Sequence, residues 1–222
     1  MPSLPALPRN CPVSLALIAV NALIYVGQMA TAGSLTNLGL LYGPAVQDGQ
    51  WWRLLSSGFL HGSLLHVAFN MYLLYLLGPQ LERGFGSLRF ALMYFGSLAG
   101  GALAVMLFDW QQPTLGASAA VLGLAGAMGI ALHARGIKPH QSPVFGLVVL
   151  NLALPLLVPG ISFWGHFGGV LAGILLGYLV VWLPANSQGN SPGNTISAGA
   201  AALVILTALA MMAAKLGGVS LG

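Results

Sequence analysis

Seven long apolar stretches, separated by short segments in which charges, glycines and prolines collect, set the pattern of this chain. They fall at about 13–30, 62–81, 88–108, 116–134, 143–159, 164–184 and 196–216. A helix needs about 20 mostly apolar residues to cross a hydrocarbon core some 30 Å thick. The pattern therefore predicts an all-α polytopic membrane helix bundle. Its longest early connection, 31–61, carries Trp51, Trp52 and Arg53, an amphipathic cluster suited to a membrane interface. A polar run from Asn186 to Thr195 has the composition of a flexible linker, so the last stretch reads as an addition to a six-helix core. The expected units are a core over 1–184, a linker over 185–195 and one further helix within 196–222.

Composition sharpens this picture. Of 222 residues, seven are Lys or Arg and three are Asp or Glu, so 5% are charged, while 57% are apolar and the mean hydropathy is +0.87. A soluble domain carries about 25% charged residues, and a water-facing surface cannot be built from so few. The net charge of +4 is too scattered to form a nucleic-acid patch, and no nucleic-acid partner is expected. The charges instead orient the chain. Under alternating topology Arg9, Arg83, Arg89, Arg135 and Lys138 share one side, against Arg53 and Lys215 on the other, and the richer side is the cytoplasm. The expected location is a bacterial plasma membrane, multi-pass, with a cytoplasmic N-terminus. Arg9 followed by an apolar run resembles a signal peptide, but the run is longer than a signal core and is expected to stay as the first helix. Cys11 is the only cysteine, so no intrachain disulfide can form.

The same topology gathers polar residues. His61 and His66 stand where span 2 begins, Ser118 where span 4 begins and His166 where span 6 begins. Even-numbered spans all start on the outer side, so these positions converge at one depth. Ionisable residues inside a bilayer are functional candidates. Ser118, in Gly116-Ala-Ser-Ala, is either an ordinary N-cap or a nucleophile at a helix end whose N–H groups favour a developing oxyanion. His166 belongs to a helix with glycine at 165, 169, 173 and 177, a smooth ridge for close packing. Ala119, Gly123, Ala127 and Ala131 of span 4 have the matching period, and packing the two together would bring His166 to Ser118 as its base. The ridge by itself is equally compatible with plain helix packing. His66 and Asn70, one turn apart, are suitable oxyanion donors.

The three carboxylates, Asp48, Glu82 and Asp109, are placed in loops or on the cytoplasmic side, so no acid completes a triad and the imidazole must be oriented by packing or a neutral group. A metal site of His61, His66 and His166 lacks the carboxylate spacing of a helical zinc motif, and no metal is expected. A small transporter is the alternative that composition alone would favour, but it calls for ionisable groups at mid-membrane. Span 5, short and interrupted by Asn151 and Pro155, is the element expected to yield most easily.

Taken together the motifs resemble the rhomboid family of intramembrane serine proteases. Those that carry the resemblance are Trp52-Arg53, His61-x4-His66-x3-Asn70, Glu82 to Gly86, Gly116-Ala-Ser118-Ala and Gly165-His166-x2-Gly169-x3-Gly173, in the family's order. The resemblance implies a rhomboid-like six-helix core plus one C-terminal helix, and a Ser118-His166 dyad. It also implies oxyanion stabilisation by His66, Asn70 and the Ser118 N–H, transmembrane protein substrates met within the lipid bilayer, and no cofactor. A non-catalytic rhomboid-like binder of membrane helices is the other reading. Two positions depart from the family pattern. Leu122 stands where a tyrosine often stacks on the histidine, so apolar packing is expected to hold His166. Gly84 stands where a second basic residue is usual, with Arg83 beside it.

Overall fold

The computed structural model describes residues 11–158, 160–182 and 192–217. Arg9, Pro159 and the linker residues up to 191 lie outside them. The described residues form ten α-helices: α1 (Pro12–Ala30), α2 (Ser34–Gly39), α3 (Gly43–Gln47), α4 (Arg53–Ser56), α5 (Leu64–Phe85), α6 (Ser87–Phe108), α7 (Ser118–Ala134), α8 (Pro143–Leu157), α9 (Phe163–Gly177) and α10 (Pro192–Leu216). A π-helical turn, Tyr178–Trp182, extends α9. Counting that turn with α9, five helices are long and apolar enough to cross a membrane, and α7 and α8 are shorter apolar helices. The last helix begins at Pro192, ahead of the expected 196, and α5 runs on to Phe85, past the expected 81.

The connection between α1 and α5 is more ordered than its sequence suggests. Its three short helices are held by tertiary bonds, because helices of four to six residues lack the cooperativity to stand alone. Trp52 Nε1 donates to the Leu38 carbonyl at 3.0 Å, Arg53 to the Leu40 carbonyl at 2.7 Å and Ser56 Oγ to the Gly39 carbonyl at 2.8 Å. Arg53 is buried, whereas Trp52 is exposed. Trp51 packs towards α10, with Lys215 Nζ 5.8 Å from its ring.

Glu82 fixes α1 to α5. Its buried carboxylate accepts the main-chain N–H groups of Val13 and Ser14 at 3.0 and 2.8 Å, and the Ser14 and Ser87 hydroxyls at 2.6 Å each. A carboxylate at a helix N-terminus satisfies orphan donors and meets the positive dipole end. Gly86, at φ 87°, then reverses the chain into α6.

α6, α7 and α9 make the centre of the bundle, around Tyr94, Leu98, Ala120, Leu124 and Leu176. The glycine ridge of α9 packs on α7 in the register its sequence predicts. A Cβ at residue 169 would collide with Ala119 main chain, one at 173 with Gly123 main chain, and one at 177 would come within 2.9 Å of Ala127 Cα. α6 closes on the adjacent stripe of α9, where Gly100 faces Gly168 and Ala172. α8 stands at the margin. Among the described residues of α8 only Asn151 is buried, while Leu150, Leu156 and Leu157 are exposed.

Candidate active site

Backbone geometry sets the position of Ser118. Gly116 adopts φ 130°, its N–H donates to the Ser57 carbonyl at 2.9 Å, and two residues later Ser118 opens α7. As the first helical residue, Ser118 has a main-chain N–H that no preceding turn can use. A Cβ at residue 116 would lie 2.8 Å from His66 Cε1 and 2.9 Å from its Nε2. Glycine here therefore lets the His66 ring close against the turn. Ser118 Oγ is 3.6 Å from the same point, so the imidazole and the hydroxyl share one small space.

His166 lies in the first turn of α9. Ser162 caps that helix, its Oγ accepting the Gly165 N–H at 3.0 Å while its hydroxyl donates to the Asp109 carboxylate. The capped end and the glycine ridge together place His166 Nε2 2.9 Å from Ser118 Oγ. On its other side His166 Nδ1 is 2.9 Å from the Asn151 main-chain carbonyl. A carbonyl only accepts, so in the neutral ring Nδ1 carries the proton and Nε2 is left to accept from the serine. His166 is 6% exposed and Ser118 half-buried, which leaves the hydroxyl as the accessible side of the pair. Such an arrangement can draw a proton from a hydroxyl that attacks an electrophile.

Apolar packing was the expected support for His166, given Leu122 in the tyrosine position. Leu122 is buried, and the imidazole also has a neutral partner in the Asn151 main-chain carbonyl. Three contributions to the site went unforeseen. The Asn151 carbonyl is a main-chain group brought in by tertiary packing. Asp109, placed by sequence in an outer loop, acts indirectly through Ser162. Ser162 itself carried a readable signal, a serine just ahead of an apolar helix with the spacing of an N-cap.

His66 lies beside this pair, and Asn70 and His61 lie against His66. His66 Nδ1 faces the Gly62 N–H at 3.5 Å, which leaves Nε2 as the donor turned towards Gly116 and Ser118. Asn70 is buried one turn further along α5 and directs Nδ2 at the His66 carbonyl at 3.0 Å, keeping one N–H unspent. His61 packs edge-on against the His66 ring, centroids 5.1 Å apart. Its main chain is clamped by Gln28, which accepts its N–H at 2.9 Å and donates to its carbonyl at 3.1 Å. Burial, aided by the neighbouring His66 and opposed by a weak backbone contact to Phe59, pushes the His61 pKa down to about 4. His61 is thus a neutral packing residue beneath His66.

Residues 48–183, more than half of the chain, match the rhomboid domain. Rhomboid protease GluP of Bacillus subtilis (strain 168) is 32% identical over 146 residues, which cover 64% of this chain and 29% of that protein. Rhomboid-like protease 1 of Toxoplasma gondii is 33% identical over 146 residues, 62% of this chain and 50% of that protein. Inactive RHOMBOID-like protein 8 of Arabidopsis thaliana is 35% identical over 112 residues, 50% of this chain and 32% of that protein. The chain matches half or less of the length of these relatives. Because the matched domain runs from the loop holding Trp51, Trp52 and Arg53 to the end of α9, and so takes in both sides of the contact between Ser118 and His166, the chain is a multi-pass membrane protein of the rhomboid family, at family level a family of intramembrane serine proteases.

Proposed function

We propose that this protein hydrolyses a peptide bond in or near the outer end of a transmembrane helix of another protein, with Ser118 as nucleophile and His166 as general base. The observation that carries this reading is the 2.9 Å contact between Ser118 Oγ and His166 Nε2, with Nδ1 engaged elsewhere. Oγ attacks the scissile carbonyl as its proton passes to Nε2. The carbonyl oxygen, now negative, meets the Ser118 N–H, the His66 Nε2–H and the free Asn70 N–H. The imidazolium returns the proton to the leaving amine, and a water activated by the same imidazole releases the acyl group from Ser118. Besides the substrate, these steps use protein groups and one water.

Depth fits this chemistry. α7 has 17 residues, about 25 Å at 1.5 Å per residue, which is shorter than a hydrocarbon core of about 30 Å. Taking its far end to the cytoplasmic surface, a helix so short starts beneath the outer one, close enough for water to reach Ser118. The balance of Arg and Lys supports an outward-facing site and a cytoplasmic N-terminus. Because a helical substrate must unwind to expose a carbonyl, segments carrying Gly or Pro near the outer end are preferred.

An inactive relative makes the alternative, a non-catalytic binder of membrane helices, worth separating. Purified protein in lipid bilayers is incubated with a fluorescently labelled transmembrane substrate beside Ser118→Ala and His166→Ala. Cleavage by the parent and none by either folded variant supports the protease. Equal cleavage by parent and variants refutes the dyad, and binding without cleavage by the parent establishes the binder.

A further inference from the structure

In an uninterrupted α-helix the carbonyl of residue 151 would accept the N–H of residue 155. Residue 155 is a proline inside α8 and has no N–H to give. The Asn151 carbonyl therefore lacks its helical donor at the one described point where α8 is buried, with Asn151 4% exposed, and a buried acceptor without a partner is costly. His166 Nδ1 occupies the vacancy at 2.9 Å. The Asn151 side chain is not the partner; its Nδ2 turns back to the Leu147 carbonyl at 2.9 Å.

We infer that Pro155 is a positioning residue for the dyad, freeing the Asn151 main-chain carbonyl to hold His166 in its Nδ1–H tautomer. The carbonyl then does what a carboxylate does in a Ser-His-Asp triad. It holds the ring plane and keeps Nε2 an acceptor, because the opposite tautomer would point a hydrogen at Ser118 and could not take its proton. A neutral carbonyl suits this environment, where a buried carboxylate would carry a heavy desolvation cost. The tautomer is consequently tied to the seating of α8 against α9, and the helix that contributes least to the core contributes the third member of the site.

This inference rests on the proton-transfer role of His166, but its test does not depend on turnover. The protein, labelled with 15N-histidine in detergent micelles, reports the His166 tautomer through its ring nitrogen shifts. Pro155→Ala restores a helical N–H, which competes for the carbonyl and straightens α8. The expected result is a shift from the Nδ1–H form towards the Nε2–H form, with kcat down by about tenfold, the scale of one net hydrogen bond, and KM within about twofold because no substrate contact is lost. Lactic acid at position 155, which has the alanine methyl group but no N–H, should recover the Nδ1–H form and most of kcat. Should Pro155→Ala fail to fold, the hydroxy-acid analogue of leucine at position 152 makes the 151–152 link an ester and weakens the same acceptor with the proline kept. An unchanged tautomer in Pro155→Ala, or in the ester protein when that is the variant that folds, overturns the inference, as do equal losses with alanine and lactic acid at 155. Where the parent itself cleaves nothing, a shifted tautomer in Pro155→Ala refutes the hydrolase reading and sustains the part of this one that concerns the ring, the hold of the Asn151 carbonyl on His166.

Discussion

The glycine ridge of α9 allows a test of how the dyad distance is set. At residue 169 an alanine Cβ would be 2.8 Å from Ala119 C and Cα and closer still to the Ala119 carbonyl oxygen. At residue 177 the nearest atom would be Ala127 Cα at 2.9 Å. Relief to an ordinary contact near 3.4 Å requires a retreat of more than about 0.6 Å at the first position and about 0.5 Å at the second. Backbone atoms cannot swing aside as a flexible side chain can, so α9 must tilt away from α7. Each substitution should cost roughly 1 to 3 kcal/mol of stability by overpacking. Their effects on chemistry should differ. Residue 169 is three positions from His166 and faces the residue after Ser118, so its displacement adds directly to the 2.9 Å Oγ to Nε2 distance and carries it past hydrogen-bond range. Residue 177 lies eight positions further along α9, about 12 Å at 1.5 Å per residue, and a tilt there moves the site end much less. Gly169→Ala should therefore lower the rate of Ser118 labelling by a fluorophosphonate about 100-fold, and Gly177→Ala only a few-fold. Labelling is read in micelles alongside thermal unfolding of the same samples. Wild-type labelling in Gly169→Ala, or equal losses in both variants tracking equal thermal destabilisation, would refute the reasoning.

Three further outcomes are expected. His66→Ala and Asn70→Ala should each slow turnover by roughly 10 to 1000 fold without abolishing it, the scale of one lost oxyanion donor, measured against thermal stability so that loss of packing is recognised. Glu82→Gln should lower the thermal midpoint by an amount equivalent to about 1 to 3 kcal/mol, because an amide cannot accept from two N–H groups and two hydroxyls at once, while kcat of the folded fraction stays unchanged. His61, whose pKa falls from 6.5 to about 4 in the folded state, binds a proton more readily when unfolded. Its contribution is thus complete above about pH 6.5 and is lost as pH falls towards 4, roughly 1 to 2 kcal/mol by pH 5, so thermal unfolding from pH 7.5 to 4.5 should flatten in His61→Gln.

Much of this protein is decided by local composition. An almost uncharged chain with seven apolar stretches has no soluble solution, because every buried main-chain group must be satisfied inside a helix once water is gone. Alternation of those helices then brings His61, His66, Ser118 and His166 to one end. The four-residue period of small residues on α7 and α9 even sets their register, since a glycine ridge admits a facing backbone only where both helices are narrow. These are properties of spacing, and spacing is visible in a sequence.

Other features depend on groups that carry no sequence signal. The short helices of the first connection exist because Trp52, Arg53 and Ser56 find carbonyls of Leu38, Leu40 and Gly39, residues whose own side chains say nothing about accepting a hydrogen bond. Glu82 reads as a loop charge on the cytoplasmic side, yet it is buried at the start of α1, a neighbour 68 and 69 residues away in the chain. Asp109 and Ser162 meet across the ends of α6 and α9 and position His166 without touching it. Any residue can offer a main-chain carbonyl, so nothing in the identity of Asn151 marks it as a partner of His166. That role follows from tertiary packing, which turns the stretch of α8 lacking a helical donor towards the imidazole, where a buried acceptor and a buried donor each need what the other supplies.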